Sequence, residues 1–198
     1  MRDENKVLRQ TQIECAAYEL LELKGYAGTS MQGIARKARA SNETLYNWYG
    51  DKRGLFTALV TRNAAEVRSL LETELSAGGD AITTLGLLAP KLLELLLGNR
   101  AIALNRAAAA DPTGELGAAI SQAGRETVLP LLEQVLETAR RDGQLKFDRP
   151  TEAAGLFLDL LVGDFQIRRV IGRLPAPDRE FCETRSALAV ARFCQLLS

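Results

Sequence analysis

Apolar residues recur along this chain at helical spacing, and no segment shows convincing strand alternation over four or more residues. About nine helices are predicted. The first covers about residues 6–24, with Val7, Ile13, Ala17, Leu20, Leu21 and Leu23 mostly on one side and Gly25 as its stop. The second opens at "TSMQ", where Thr29 followed by Gln32 fits a capping box, and runs to about Lys37. A four-residue turn, "ARAS" (38–41), leads into a short third helix over about 42–49. Gly50 and Asp51 break it, and Asp51 can cap a fourth helix running to about Ala77.

Past the break "AGGD" (77–80), a fifth helix capped by Asp80 ends near Gly98 and Asn99. A sixth spans about 101–110 and stops at Asp111-Pro112. The seventh covers roughly 113–142, with a kink expected at Pro130, because an interior proline loses a hydrogen bond and clashes with the preceding turn. "DGQLKFDRP" (142–150) connects to an eighth helix over about 151–172, and "RLPAPD" leads to a ninth over about 178–197.

Composition narrows the function. With 198 residues, 46% of them hydrophobic, the chain can bury a substantial core. Its richest apolar run, 85–97, is broken by Pro90, Lys91 and Glu94, so it reads as a buried helix and no membrane partner is expected. The opening "MRDENKVLRQ" lacks the apolar region of a signal peptide, which points to the cytoplasm. The zero net charge hides a tilt: residues 1–55 carry nine Lys/Arg against seven Asp/Glu. The chain has no histidine, which removes the commonest general base and the commonest metal ligand. Cys15, Cys182 and Cys194 lack metal-ligand spacing and read as buried free thiols. No paired carboxylates, nucleophile–base arrangement or Gly-rich phosphate loop is present, so neither an enzyme nor a cofactor or metal is expected.

Two short helices joined by four residues fit a helix-turn-helix, whose second helix enters the DNA major groove. The segment 25–56, "GYAGTSMQGIARKARASNETLYNWYGDKRGLF", resembles the DNA-binding signature of the TetR family of transcriptional regulators. The resemblance is carried by Gly25-Tyr26, Thr29, Ile34-Ala35, Ala38, Ser41, Thr44-Leu45-Tyr46, the aromatic pair at 48–49, Lys52 and Leu55-Phe56. Residues 153–172 also resemble the C-terminal helix of an AefR-like subgroup. The resemblance implies an all-α protein in two parts. Residues 1–51 would form a three-helix DNA-binding domain, residues 52–198 a larger ligand-binding and dimerisation domain, and the helix from about 52 to 77 would link them.

Within the signature, Ile34, Ala35, Ala38 and Leu45 would bury the inner faces of the two crossing helices. Trp48 could join that core or lie against the DNA backbone. The outward face would carry Asn42, Glu43, Tyr46 and Asn47. Asparagine can bond the adenine edge and glutamate can accept from cytosine N4. Glu43 could instead only satisfy the helix dipole, and the two asparagines could be solvated surface. Tyr46 resembles the family's phosphate-contacting tyrosine, and Tyr49 could act similarly; the resemblance places Ser41 and Thr44 at the DNA as well. Lys52 stands at a helix N-terminus, which attracts phosphate. Thr29 and Ser30 can bond phosphate through hydroxyl or N–H, while Gln32 either closes the capping box or reaches a base.

Three positions depart from the family pattern. Arg39 stands where the turn commonly has glycine; a positive φ there would cost an arginine about 1 kcal/mol, to be offset by a phosphate contact. Glu43 replaces a small residue, which suggests a different operator. Arg53-Gly54 replaces Glu-Ala, and a helical glycine costs about 1 kcal/mol relative to alanine, tolerable if the fourth helix shifts when ligand binds.

A single helix-turn-helix reads few base pairs, so a homodimer on double-stranded, pseudo-palindromic operator DNA is expected. By the resemblance its interface would use the eighth and ninth helices, where Phe157, Leu161, Phe165 and Arg168, and then Ala187, Val190 and Phe193, follow helical stripes. Such stripes equally fit an internal core. Helices four to seven would enclose a pocket for an unknown small-molecule effector, with Asn105 and Arg106 of "IALNRAAAAD" as polar anchors, although the alanines also suit tight packing. The expected function is a ligand-responsive transcriptional regulator, in this family most often a repressor. The alternative is an effector-independent DNA-binding or architectural protein.

Overall fold

A computed structural model describes residues 2–198, with side chains from residue 5 onward. The described residues form helices and connecting turns, with no strand among them. The elements are α1 (Arg2–Lys24), α2 (Met31–Ala38), α3 (Asn42–Tyr49), α4 (Lys52–Ala77), α5 (Ala81–Leu97), α6 (Asn99–Ala109), α7 (Glu115–Ile120), α8 (Glu126–Arg141), α9 (Pro150–Val162), α10 (Phe165–Val170) and α11 (Arg179–Leu197).

They make two compact units that do not follow chain order. The first comprises the chain up to Arg62 together with Ala103–Ala123, and the second Asn63–Ile102 with Gly124–Ser198. In the first, Ile13, Ala17 and Leu21 of α1 pack with Ile34 and Ala35 of α2, Leu45 of α3, and Leu55, Phe56 and Leu59 of α4. Leu104 and Ala107 of α6 and Leu116 and Ala119 of α7 belong to the same core. Val7 and Leu23, expected on the buried stripe of α1, point to solvent instead, at 52% and 77% exposed. Among the thiols, Cys182 is buried, Cys194 half-buried and Cys15 exposed.

The second unit packs α5, α8, α9 and α11 around Leu88, Leu93, Leu136, Phe157, Leu161 and Phe193. The Phe157 and Phe193 rings meet edge to face at 5.3 Å. α5 and α6 bend by 51° at their junction, and no single helix among the described residues is long and apolar enough to cross a membrane. The end of α5 is capped from α10: Arg169 donates to the Leu97 carbonyl (3.0 Å) and to Asn99 Oδ1 (2.7 Å), and Gln166 donates to the Leu96 carbonyl (3.0 Å). Those bonds satisfy carbonyls that the bend leaves without helical partners.

Two predicted helices are divided. Asp111 accepts from the N–H groups of Thr113 and Leu116, so a new helix begins at Glu115. The departure from α geometry then comes at a π turn, Ser121–Arg125, and not at Pro130, which lies inside α8. Farther on, Gly163 adopts φ +49° and separates α9 from α10 inside what reads as one apolar run.

Candidate nucleic-acid interface

The site is built on α2 and α3, whose ends are closed by side chains. α2 is capped by Ser30, whose Oγ accepts from the Gly33 N–H at 3.1 Å. The cap therefore falls one residue later than expected, and the capping box from Thr29 to Gln32 does not form, since Gly33 has no side chain to return a bond. Thr29 is only 4% exposed; its hydroxyl donates to the Gly25 carbonyl (2.8 Å) and its N–H to the Tyr26 carbonyl (3.1 Å). Both groups that were to meet phosphate are spent inside the unit, whereas Ser30 and Gln32 remain exposed.

α2 ends in a Schellman motif: the Ala40 N–H reaches the Ala35 carbonyl (2.9 Å) and the Arg39 N–H the Arg36 carbonyl (3.3 Å). Arg39 adopts φ 53° and ψ 38°, the left-handed conformation that its glycine-like position demands. Its side chain is exposed. Nearby, Lys37 pairs with Glu19 at 2.5 Å.

Ser41 caps α3, accepting from the Thr44 N–H at 3.0 Å and sharing a hydrogen bond with the Thr44 hydroxyl at 2.8 Å. Leu45 is fully buried and fixes the inner face of α3. The opposite face presents Asn42, Glu43, Tyr46 and Asn47 to solvent, with Tyr46 52% exposed. Trp48 is half-buried against the core, with its ring edge-on to Tyr49 at 6.5 Å.

Tyr49 does not join the outward face. Its hydroxyl is buried without a hydrogen-bond partner. Burial first, and then the Glu14 carboxylate, push its pKa up to about 12 against the opposing pull of Arg62. Arg62 itself pairs with Glu14 at 3.3 Å.

Gly50, at φ +75°, ends α3, and Asp51 caps α4 by accepting from the Gly54 N–H at 2.7 Å. A Cβ on Gly54 would land on the Tyr49 carbonyl. Glycine is needed here for close approach of two backbones. Lys52, expected as a phosphate ligand, turns its ammonium inward. It donates to the Tyr26 and Thr29 carbonyls, both at 3.0 Å, and stands 4.1 Å from the centre of the Tyr26 ring. Burial, then the carboxylates of Asp51 and Asp111, raise the pKa of the Tyr26 phenol. Arg53 pairs with Glu115 of α7 at 3.1 Å.

Sequence reasoning overlooked Arg9. One of its guanidinium nitrogens donates to the carbonyls of Ala38 (3.3 Å) and Arg39 (3.2 Å) at the turn itself. A lone arginine on an amphipathic helix carries no local signal of such a role.

The remaining candidates lie outside this interface. Asn105 is half-buried and Arg106 exposed on α6, while Ala103, Leu104 and Ala107 beside them are core residues, so the alanine-rich stretch packs tightly. Phe157, Leu161 and Phe193 are fully buried within their own chain and cannot form an interface with another. Of the other four, Phe165 is half-buried against Phe181 (5.2 Å), Arg168 pairs with Asp164 (3.8 Å), Ala187 is exposed and Val190 half-buried. The exposed large apolar residues of this region are Ile167 (57%), Ile171 (62%), Phe181 (37%), Leu188 (42%) and, at the end of α11, Leu196 (61%). The i, i+4 spacing of Ile167 and Ile171 could have revealed that face from sequence.

Two family models match the chain. One, described as bacterial regulatory proteins of the tetR family, covers residues 15–59. The other, the C-terminal domain of AefR-like transcriptional repressors, covers residues 83–196. A TetR transcriptional regulator from Agrobacterium tumefaciens is 30% identical, with 96% of this chain and 94% of that one aligned and a TM-score of 0.73. The flavonoid-responsive regulator FrrA is 28% identical over 95% of this chain and 96% of its own, with a TM-score of 0.66. The HTH-type transcriptional regulator YvkB of Bacillus subtilis (strain 168) is 28% identical over 179 residues, 88% of this chain and 92% of YvkB.

Proposed function

Because this chain belongs to the TetR family of bacterial transcriptional regulators, we propose that it acts in the cytoplasm as a homodimeric repressor, binding a pseudo-palindromic operator and leaving it when a small-molecule effector binds. It works by binding and not by catalysis. The observation that carries this reading is the exposed face of α3, Asn42, Glu43, Tyr46 and Asn47, on a helix whose other side is fixed by the buried Leu45. Asn42 and Asn47 read base edges, Glu43 accepts from cytosine, and Tyr46, Ser30, Ser41 and the Arg39 guanidinium hold phosphate. Gln32, released from any capping box, is positioned near the start of α2 to reach a base. Self-association uses the apolar surface of α10 and α11, centred on Ile167, Ile171, Phe181 and Leu188. Response to a small organic effector is supported by the similarity to the flavonoid-responsive FrrA, and its mechanism is a shift between states that differ in operator affinity.

Selection of bound duplexes from a random pool tests this directly. The enriched sequences should form inverted half-sites about 10 base pairs apart, or a multiple of that, centre to centre. A panel of small organic molecules, flavonoids included, should contain one that lowers affinity for the enriched duplex. Absence of any enriched motif would contradict operator binding, and enrichment without effector sensitivity would leave a constitutive DNA-binding protein.

A further inference from the structure

The turn between α2 and α3 is held from outside itself. Within the Schellman motif the Ala35 and Arg36 carbonyls are satisfied by the chain that follows, while those of Ala38 and Arg39 lie at the end where the partial negative charge of α2 collects. Arg9 of α1 supplies both with a donor from one nitrogen, at 3.3 and 3.2 Å. Bridging successive carbonyls ties together the two peptide planes that flank residue 39, 38–39 and 39–40. Arg39 is the one non-glycine residue at positive φ among those described, so these are the two planes whose relative orientation a side chain disfavours. Two residues later Ser41 caps α3, and any rotation at 39 would swing the whole recognition helix. The anchor is firm: one turn beyond Arg9, Ile13 is fully buried in the core. Arg9 lies ahead of residues 15–59, the segment that the tetR family model covers, so the family signature does not include it.

We propose that Arg9 is a positioning residue for the recognition helix, clamping the turn so that an arginine at position 39 can keep the left-handed conformation that otherwise calls for glycine. The clamp and Arg39 form a matched pair: with glycine at 39, Arg9 loses most of its purpose. This inference rests on the operator-binding reading for its effect on DNA, but not for its effect on the fold.

The test is a double-mutant cycle in the full-length chain with Arg9→Ala, Arg39→Gly and both together. Thermal unfolding without DNA should show R9A lowering Tm on the order of 2–4 °C, and by less than half as much in the R39G background. At 20 °C, R9A should weaken binding to the best duplex from the random pool about 10-fold while changing binding to an unrelated duplex of equal length less than about 2-fold. In the R39G background the same substitution should cost less than about 3-fold. Strictly additive effects in both measurements would overturn the proposal. So would equal loss on both duplexes with a fall of about 0.9 in the salt slope, which would make Arg9 a phosphate ligand. If R9A does not fold, Arg9→Gln carries the same cycle. Should the wild-type chain enrich no duplex, operator binding fails while the unfolding cycle still judges the clamp.

Discussion

Gly54→Ala sets two effects of opposite sign against each other. Helix propensity alone favours alanine by about 1 kcal/mol inside a helix such as α4. The added methyl, however, would occupy the position of the Tyr49 carbonyl oxygen. That atom is backbone, and it already accepts from the Asp51 N–H at 2.9 Å, so neither rotamer change nor side-chain motion can clear it. Overpacking that forces backbone to move costs about 1–3 kcal/mol. Displacing the α3–α4 junction also strains the Asp51 cap. The expected net loss is about 1–2 kcal/mol, or roughly 2–8 °C in Tm for a chain of this size. Gly86→Ala in α5 is the control: that residue is exposed with nothing within 4 Å of its Cβ position, so propensity acts alone and stability should rise by up to about 1 kcal/mol. Urea unfolding followed by circular dichroism measures both variants. A higher midpoint for Gly54→Ala would refute the close-approach argument. Since Tyr49 is the last residue of α3, the same variant should weaken binding to the selected duplex more than to an unrelated one.

Lys52→Met should cost about 2 kcal/mol in unfolding free energy, because it removes two charge-assisted hydrogen bonds and a cation–π contact. It should leave the salt dependence of DNA binding unchanged, and a slope smaller by about 0.9 would place the ammonium on a phosphate after all. Tyr49→Phe deletes a buried hydroxyl that has no partner, so stability should hold or rise by about 1 kcal/mol with DNA affinity intact; loss of affinity would mean the hydroxyl reaches DNA. The folded chain keeps the Tyr49 proton up to about pH 12 while the unfolded chain releases it near 10. Its contribution is therefore present below about pH 10 and declines as pH climbs toward 12, and an alkaline unfolding series should show a shallower decline for the phenylalanine variant. Ile167→Glu combined with Ile171→Glu should yield folded monomers in sedimentation equilibrium. Phe157→Ala, by contrast, should cost about 3–5 kcal/mol as a cavity in the chain's own core.

Legibility from sequence tracked the range of the interactions involved. The bounds of α3 and the start of α4 follow from Ser41, Gly50 and Asp51, which act on backbone groups a few residues away. The left-handed turn at Arg39 is readable for the same reason. Thr29 and Ser30 are adjacent hydroxyls, and pattern alone could not decide which caps α2; the Gly25 carbonyl, which draws Thr29 inward, decides it. The direction of Lys52 depends on carbonyls 23 and 26 positions away, which no local pattern reveals. The stripe of Phe157, Leu161 and Phe193 has the period of any buried helix face, which does not distinguish a chain's own interior from a partner. The π turn at 121–125 is a slip in hydrogen-bond register with no signature in composition.

The interleaving of the first compact unit has a consequence for how such a chain is made and remade. Leu104, Ala107, Leu116 and Ala119 share a core with Phe56 and Leu59, and Arg53 is paired with Glu115. A ribosome that has delivered residues up to 62 has therefore delivered only part of that core, and the missing piece follows some forty residues later. Completion of the unit must wait on synthesis of the first segment of the second, residues 63–102. The same holds for engineering: a hybrid regulator joined within α4 would inherit α1 to α3 without the α6–α7 corner that finishes their interior. Exchangeable halves in this chain are sets of segments, and a transplant has to carry residues 103–123 along with the first sixty.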